Sequence, residues 1–130
     1  MYKLISSATA ALLVLFAAPL LAQQAKPELI AVAASGKTAS AAVSAQAGRS
    51  PYFLFFDKKG ALVEAADNPY KDAGNAGIPA LDFVASRGAK VLVAEGFGPK
   101  IVDVMREKGI RPFEFKGSAQ DAVRKVLSSN

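Results

Sequence analysis

Apolar positions along the chain fall into blocks of different rhythm. "LIAVAAS", residues 29–35, is a continuous apolar run closed by Gly36, and it predicts a buried strand. "YFLFFDKKGALVEAA" predicts a hairpin. Tyr52 to Phe56 form its first strand, and Leu62 and Val63 open the return strand. Asp57-Lys58-Lys59-Gly60 makes the tight turn, with Gly60 suited to a positive φ. "IPALDFVASRG" switches to helical spacing, with Ile78, Leu81, Val84 and Ala85 on one face. Pro79 fits its first turn, and Gly88 ends it. "AKVLVAEG" predicts a second buried strand, Ala89 to Glu95. "GPKIVDVMREKG" predicts a helix with Pro99 at N1, Ile101, Val102 and Met105 inward and Gly109 at C′. "IRPFEF" reads as an edge strand because of Pro112. "SAQDAVRKVLSSN" opens a last helix with Ser118 and Asp121 in capping-box spacing and buries Ala122, Val123, Val126 and Leu127. Two stretches have no period. Residues 36–49 read as a loop with room for a helical turn, and residues 67–77 as an exposed, turn-rich loop.

The order is strand, hairpin, helix, strand, helix, strand, helix. The β-α-β-α-β part requires parallel strands joined by right-handed crossovers, while the hairpin adds antiparallel pairing. The predicted fold is therefore α/β: a mixed five-stranded sheet with three helices packed on it.

The first stretch stands apart from this pattern. "MYKLISSATAALLVLFAAPLLAQQ" has Lys3 near its start and an unbroken apolar run from Ala10 to Ala22. That is the layout of a secretory signal, with Ala22 the last residue removed. The expected organisation is a signal peptide over 1–22, a polar linker over 23–28 and one domain over 29–130, in a periplasmic or secreted protein. The alternative is an uncleaved membrane anchor, since Leu4 to Ala22 is nearly long enough to span. No cysteine is present to carry a lipid.

The formal charge is +5, and loss of Lys3 with the signal leaves +4. The basic residues are scattered singly apart from Lys58-Lys59, so no nucleic-acid stripe is present. The chain has no cysteine and no histidine. This removes disulfides, thiolate ligands, the commonest metal ligand and the commonest general base. Neither a nucleophile beside a base nor paired carboxylates can be read, so the sequence points away from an enzyme.

Three loops should gather at the C-terminal ends of the parallel strands, where open α/β sheets bind ligands: residues 35–49, 67–77 and 95–100. "EGFGPK" places Gly96 and Gly98 before a helix N-terminus, which offers free N–H groups to an anion. Ser35, Gly36, Lys37 and Thr38 in the first loop could add donors, and Arg49 a charged fork. Each feature also has a plain structural reading. The glycines suit a tight turn, Arg49 suits an ion pair with Asp57, Asp67 or another carboxylate, and Glu95, though it could serve as a metal or acid–base group, suits a helix cap or a solvated position.

Several segments, in order, carry a resemblance. They are "IAVAASG", "VSAQAGRSPYF", "NPY…GNAGI" and "GAKVLVAEGFGPK". From about Leu29 to Leu127 the chain resembles the dinitrogenase iron–molybdenum cofactor biosynthesis domain family, which includes NifX, NafY and the C-terminal part of NifB. The resemblance implies a ribonuclease H-like fold and a non-enzymatic carrier of iron–molybdenum or iron–sulfur clusters. Gln46 and Tyr70 stand where that family has histidines, and Ala47 replaces a phenylalanine. A glutamine carbonyl is a poor ligand for cluster iron. The expected binding residues are Ser35, Gly36, Lys37, Gln46, Gly48, Arg49, Gly96 and Gly98. The expected partner is a metal cluster or small anion; the alternative is a ligand-free module that meets a protein partner or a second copy. The first strand carries no carboxylate, which excludes a two-metal nuclease.

Overall fold

The computed structural model describes residues 28–129. The elements are β1 (Leu29–Ala34), β2 (Tyr52–Phe56), β3 (Leu62–Asp67), α1 (Gly77–Ser86), β4 (Ala89–Ala94), α2 (Pro99–Glu107), β5 (Arg111–Glu114) and α3 (Ala119–Ser128). The sheet order is β3-β2-β1-β4-β5. β1 pairs antiparallel with β2 and parallel with β4, β2 pairs antiparallel with β3, and β4 pairs parallel with β5. This is the mixed sheet with three helices that the pattern predicts, and it is compatible with the ribonuclease H-like label. The predicted signal peptide, and all of the linker but Glu28, lie outside the described residues. No helix among the described residues is long and apolar enough to cross a membrane.

Local chemistry sets the boundaries. Gly60 takes φ 84°, and the Asp57 carboxylate accepts from the N–H groups of Lys59 at 2.9 Å and Ala61 at 3.0 Å. Gly88 and Gly109 end α1 and α2 with φ of 89° and 73°. Ser118 caps α3, its Oγ accepting from the Asp121 N–H at 3.1 Å. Ser118→Ala should cost about 1 kcal/mol, typical of a lost N-cap. In a domain of this size, calorimetry should show that as a fall in melting temperature of roughly 4–8 °C.

Both faces of the sheet are covered, which is why β1, β2 and, apart from Lys90, β4 read as continuous apolar runs rather than alternating ones. On one face Ala31, Ala33, Phe53, Phe55 and Leu92 pack with Leu81 and Val84 of α1 and Met105 of α2. On the other, Ile30, Val32, Leu54, Phe56 and Val93 pack with Ala122, Val123 and Val126 of α3. The sheet, the helices and these two cores all lie within residues 29–128. Ile78, Ala85, Val102 and Leu127, predicted as core, are only half-buried and edge the helices. α1 buries Leu81 and Val84 as the spacing predicts, together with Ala80.

The crossover helices α1 and α2 and the terminal helix α3 all run against β1, β4 and β5. All three therefore start at the pole where these strands end and finish at the opposite pole, α1 and α2 on one face of the sheet and α3 on the other.

Candidate functional site

The stretch 35–49 contains no helical turn. It doubles back on itself, with the Ser35 N–H bonded to Ala42 O and the Ser44 N–H to Ala33 O. It then runs beside β4, where the Glu95 N–H donates to Ser44 O at 2.9 Å and Gln46 bridges Gly96 in parallel register. Ala42 bridges Ser118 at the start of α3. The small residues of this stretch let the chain lie close to the sheet end, and Ala47 is buried there.

Beyond Ala47 the chain passes against α1. A Cβ on Gly48 would stand 2.8 Å from the Gly77 Cα and 2.9 Å from its nitrogen, so the backbone passes here where only a glycine fits at position 48. Asn68 holds this arrangement. It is 3% exposed, and its amide donates to the carbonyls of Gly48 and Ser50, each at 2.9 Å. Its own carbonyl oxygen accepts from the Tyr70 N–H at 2.9 Å. One side chain thus ties the loop after β1 to the loop after β3.

The result is a cleft of about 300 Å³, walled by residues 46–49, 74–77 and 96–98 with Ile101. Five of the eight expected residues line it: Gln46, Gly48, Arg49, Gly96 and Gly98. Ser35, Gly36 and Lys37 do not. A Cβ on Gly36 would stand 3.3 Å from the Ala41 Cβ, in the reversal just described. Lys37 turns towards β2 and β3, where its ammonium sits 3.8 Å from Asp67 and 5.4 Å from the centre of the Tyr52 ring. Thr38 pairs with the Ser40 hydroxyl.

Arg49 forms no ion pair with Asp57 or Asp67. Asp57 caps its own turn and Asp67 meets Lys37, while the Arg49 guanidinium donates to the Lys71 carbonyl at 3.3 Å. Glu95 caps no helix, since Gly98 is the N-cap of α2 and no side chain bonds there. Tyr70, at the second of the histidine positions, lies outside the cleft wall.

Gly96 and Gly98 are not explained by a tight turn. Neither has a positive φ, and a Cβ on either would meet nothing within 4 Å. The backbone could carry larger residues at both positions, and their side chains would fill the cleft.

Sequence reasoning placed the 67–77 loop at the site but did not single out Gly74, Asn75, Ala76 and Gly77, which form the third wall. Their consequence is a second helix end. α1, like α2, begins at the cleft with no side-chain cap and no acid in its first turn. α3 begins elsewhere and has both Ser118 and Asp121. The available signal was "GNAGIP", which has no acid before the proline and puts Ala76, not Asn75, at the N-cap.

The sequence profile described as dinitrogenase iron-molybdenum cofactor matches residues 28–129. The chain belongs to that family. Two solved structures extend the likeness of this dinitrogenase cofactor-family chain. The apo form of the orange protein from Desulfovibrio gigas is 29% identical with a TM-score of 0.72, over 78% of this chain and 88% of that one. A candidate NifB protein from Thermotoga is 26% identical with a TM-score of 0.66, over 77% and 87%. A candidate dinitrogenase from Methanocaldococcus jannaschii, 10% identical with a TM-score of 0.56 over 78% and 88%, shares the fold. No curated protein matches the chain by sequence.

The donor set decides what kind of contact this family member can make with a cluster. The whole chain lacks cysteine and histidine, and no group of three or more acids among the described residues is placed to hold a metal. The cleft offers the amides of Gln46 and Asn75, the Arg49 guanidinium and backbone N–H groups. These do not fit direct ligation of cluster iron. They fit the oxygen or sulfide surface of an anion.

Proposed function

We propose that this chain is an exported, non-enzymatic binding protein that holds a small anion or a preformed anionic metal cluster in the cleft. Hydrogen bonds hold the anion, with no protein–metal bond. The observation that carries the reading is the pair of uncapped helix starts, α1 and α2, facing one glycine-walled cleft beside Arg49. Free helical N–H groups and a guanidinium favour negative charge, and bare glycine backbone lets it approach closely. Family membership supports a cofactor as the cargo. The serines near the site support a binding role over a catalytic one: Ser35, Ser44 and Ser50 each donate to a backbone carbonyl and face no base. The apolar run from Ala10 to Ala22 supports export.

The test is anaerobic titration of residues 23–130 with an iron–sulfur or iron–molybdenum cluster donor, and separately with molybdate. Metal content, absorbance and melting temperature are read. A ligand at a hundred times its Kd should stabilise the fold by about 2.7 kcal/mol. Arg49→Ala should weaken binding by about tenfold or more, the share of one charge-assisted hydrogen bond. Absence of uptake and of any thermal shift would overturn the reading. It would favour a ligand-free interaction module, for which Gln46 and Tyr70 at the histidine positions already speak.

A further inference from the structure

The pole opposite the cleft has its own chemistry. Here β1, β4 and β5 begin, the β2–β3 turn projects, and all three helices end. Lys58, Lys59, Lys90 and Lys125 gather there. Basic residues in the last turn of a helix, such as Lys125, answer the partial negative charge of that helix end. Lys58 and Lys59 lie in the hairpin turn and Lys90 on a strand, so that explanation does not reach them. Lys90 is the one exposed residue of β4, whose other five are buried. Lys58, Lys90 and Glu28 edge a groove of about 280 Å³ whose other lining residues are Leu29, Ile30, Val126 and Leu127. Of these lysines Lys58 alone forms an ion pair among the described residues, with Glu28 at 3.3 Å.

We propose that this pole seats on an anionic phospholipid surface. Ammonium groups on long stems around an apolar groove match phosphate headgroups above acyl chain. The connectivity of the chain favours the same partner. Residues 1–27 join the domain at Glu28, on this pole, and the apolar run ends at Ala22. The six residues 23–28 reach about 20 Å when extended. While the apolar run is in a membrane, the attachment at Glu28 keeps this pole close to the lipid. The cleft then faces away, open to its ligand or to a partner.

The experiment is co-sedimentation of residues 23–130 with vesicles of phosphatidylglycerol and phosphatidylcholine in equal parts. Omitting the leader removes its own affinity for lipid, and the two cores lie within residues 29–128. Binding is expected at low salt, lost at high salt and absent from pure phosphatidylcholine. At about fivefold per lysine near the surface, the triple variant Lys59→Glu, Lys90→Glu, Lys125→Glu should lose a hundredfold or more of partitioning. The corresponding arginine triple should retain it. Lys71→Glu, Lys100→Glu and Lys116→Glu, which make the same charge change at the cleft end, should leave most of it. No binding to the anionic vesicles would overturn the proposal, as would equal losses in the two glutamate triples or equal binding to neutral lipid. Circular dichroism of each variant separates these outcomes from unfolding.

Discussion

Gly48→Ala should lower stability by about 2–4 kcal/mol, the range of a forced backbone shift in a packed region. The new Cβ would lie under 3 Å from two backbone atoms of Gly77 and 3.2 Å from the Ala76 carbonyl carbon. No flexible side chain can yield there; either the 46–50 loop lifts or α1 moves. The same collision distorts two walls of the cleft, so ligand uptake should fall together with the melting temperature. Gly96→Ala and Gly98→Ala provide the contrast. Both positions have open space and no positive φ. Their melting temperatures should stay close to that of the parent while ligand affinity falls. Scanning calorimetry beside a binding titration reads both quantities. Equal destabilisation by all three substitutions would show that Gly96 and Gly98 serve the fold, and the argument for a glycine wall facing a ligand would fail.

Asn68→Ala should produce a loss of about 3 kcal/mol. The side chain is almost fully buried and completely satisfied, donating twice and accepting once. Its removal leaves the carbonyls of Gly48 and Ser50 and the Tyr70 N–H to find water or go unpaired, and each buried orphan costs about 1–3 kcal/mol. Asn68→Asp is the sharper variant. It keeps the acceptor for Tyr70 but turns a carboxylate towards two carbonyl oxygens, so it should be at least as damaging as alanine. Hydrogen exchange should then quicken first in residues 46–50 and 68–77, ahead of the sheet. Uniform exchange across the domain would mean that Asn68 supports global stability and does not pin the two loops in particular.

The sequence revealed the sheet and the helices because their signals are short-range. Gly60, Gly88 and Gly109 mark their turns by a backbone shape that other residues resist. Ser118 and Asp121 mark a helix start by a hydrogen bond three residues long. The cleft was only partly legible. Gln46, Gly48 and Arg49 could be found from a resemblance, and Gly96 and Gly98 from their place before Pro99. Lys37 was misplaced because the reversal of residues 35–44 depends on carbonyls of Ala33 and Ala42 and on the start of α3, none of which leaves a periodic trace. The role of Asn68 was hidden because its partners lie 18 and 20 residues away. The Asn-Pro pair announced a turn, and a turn is only half of what Asn68 does.

The bridge between Gln46 and Gly96 joins positions fifty residues apart. It also depends on β1 and β4 lying side by side, a parallel pairing that closes a long loop. Contacts of that span form late, after the local hairpin and the helices, because the entropy of closing the loop must be met first. The cleft is therefore among the last features of the molecule to exist. On the proposed reading, an anion would therefore be loaded after folding and could not guide it.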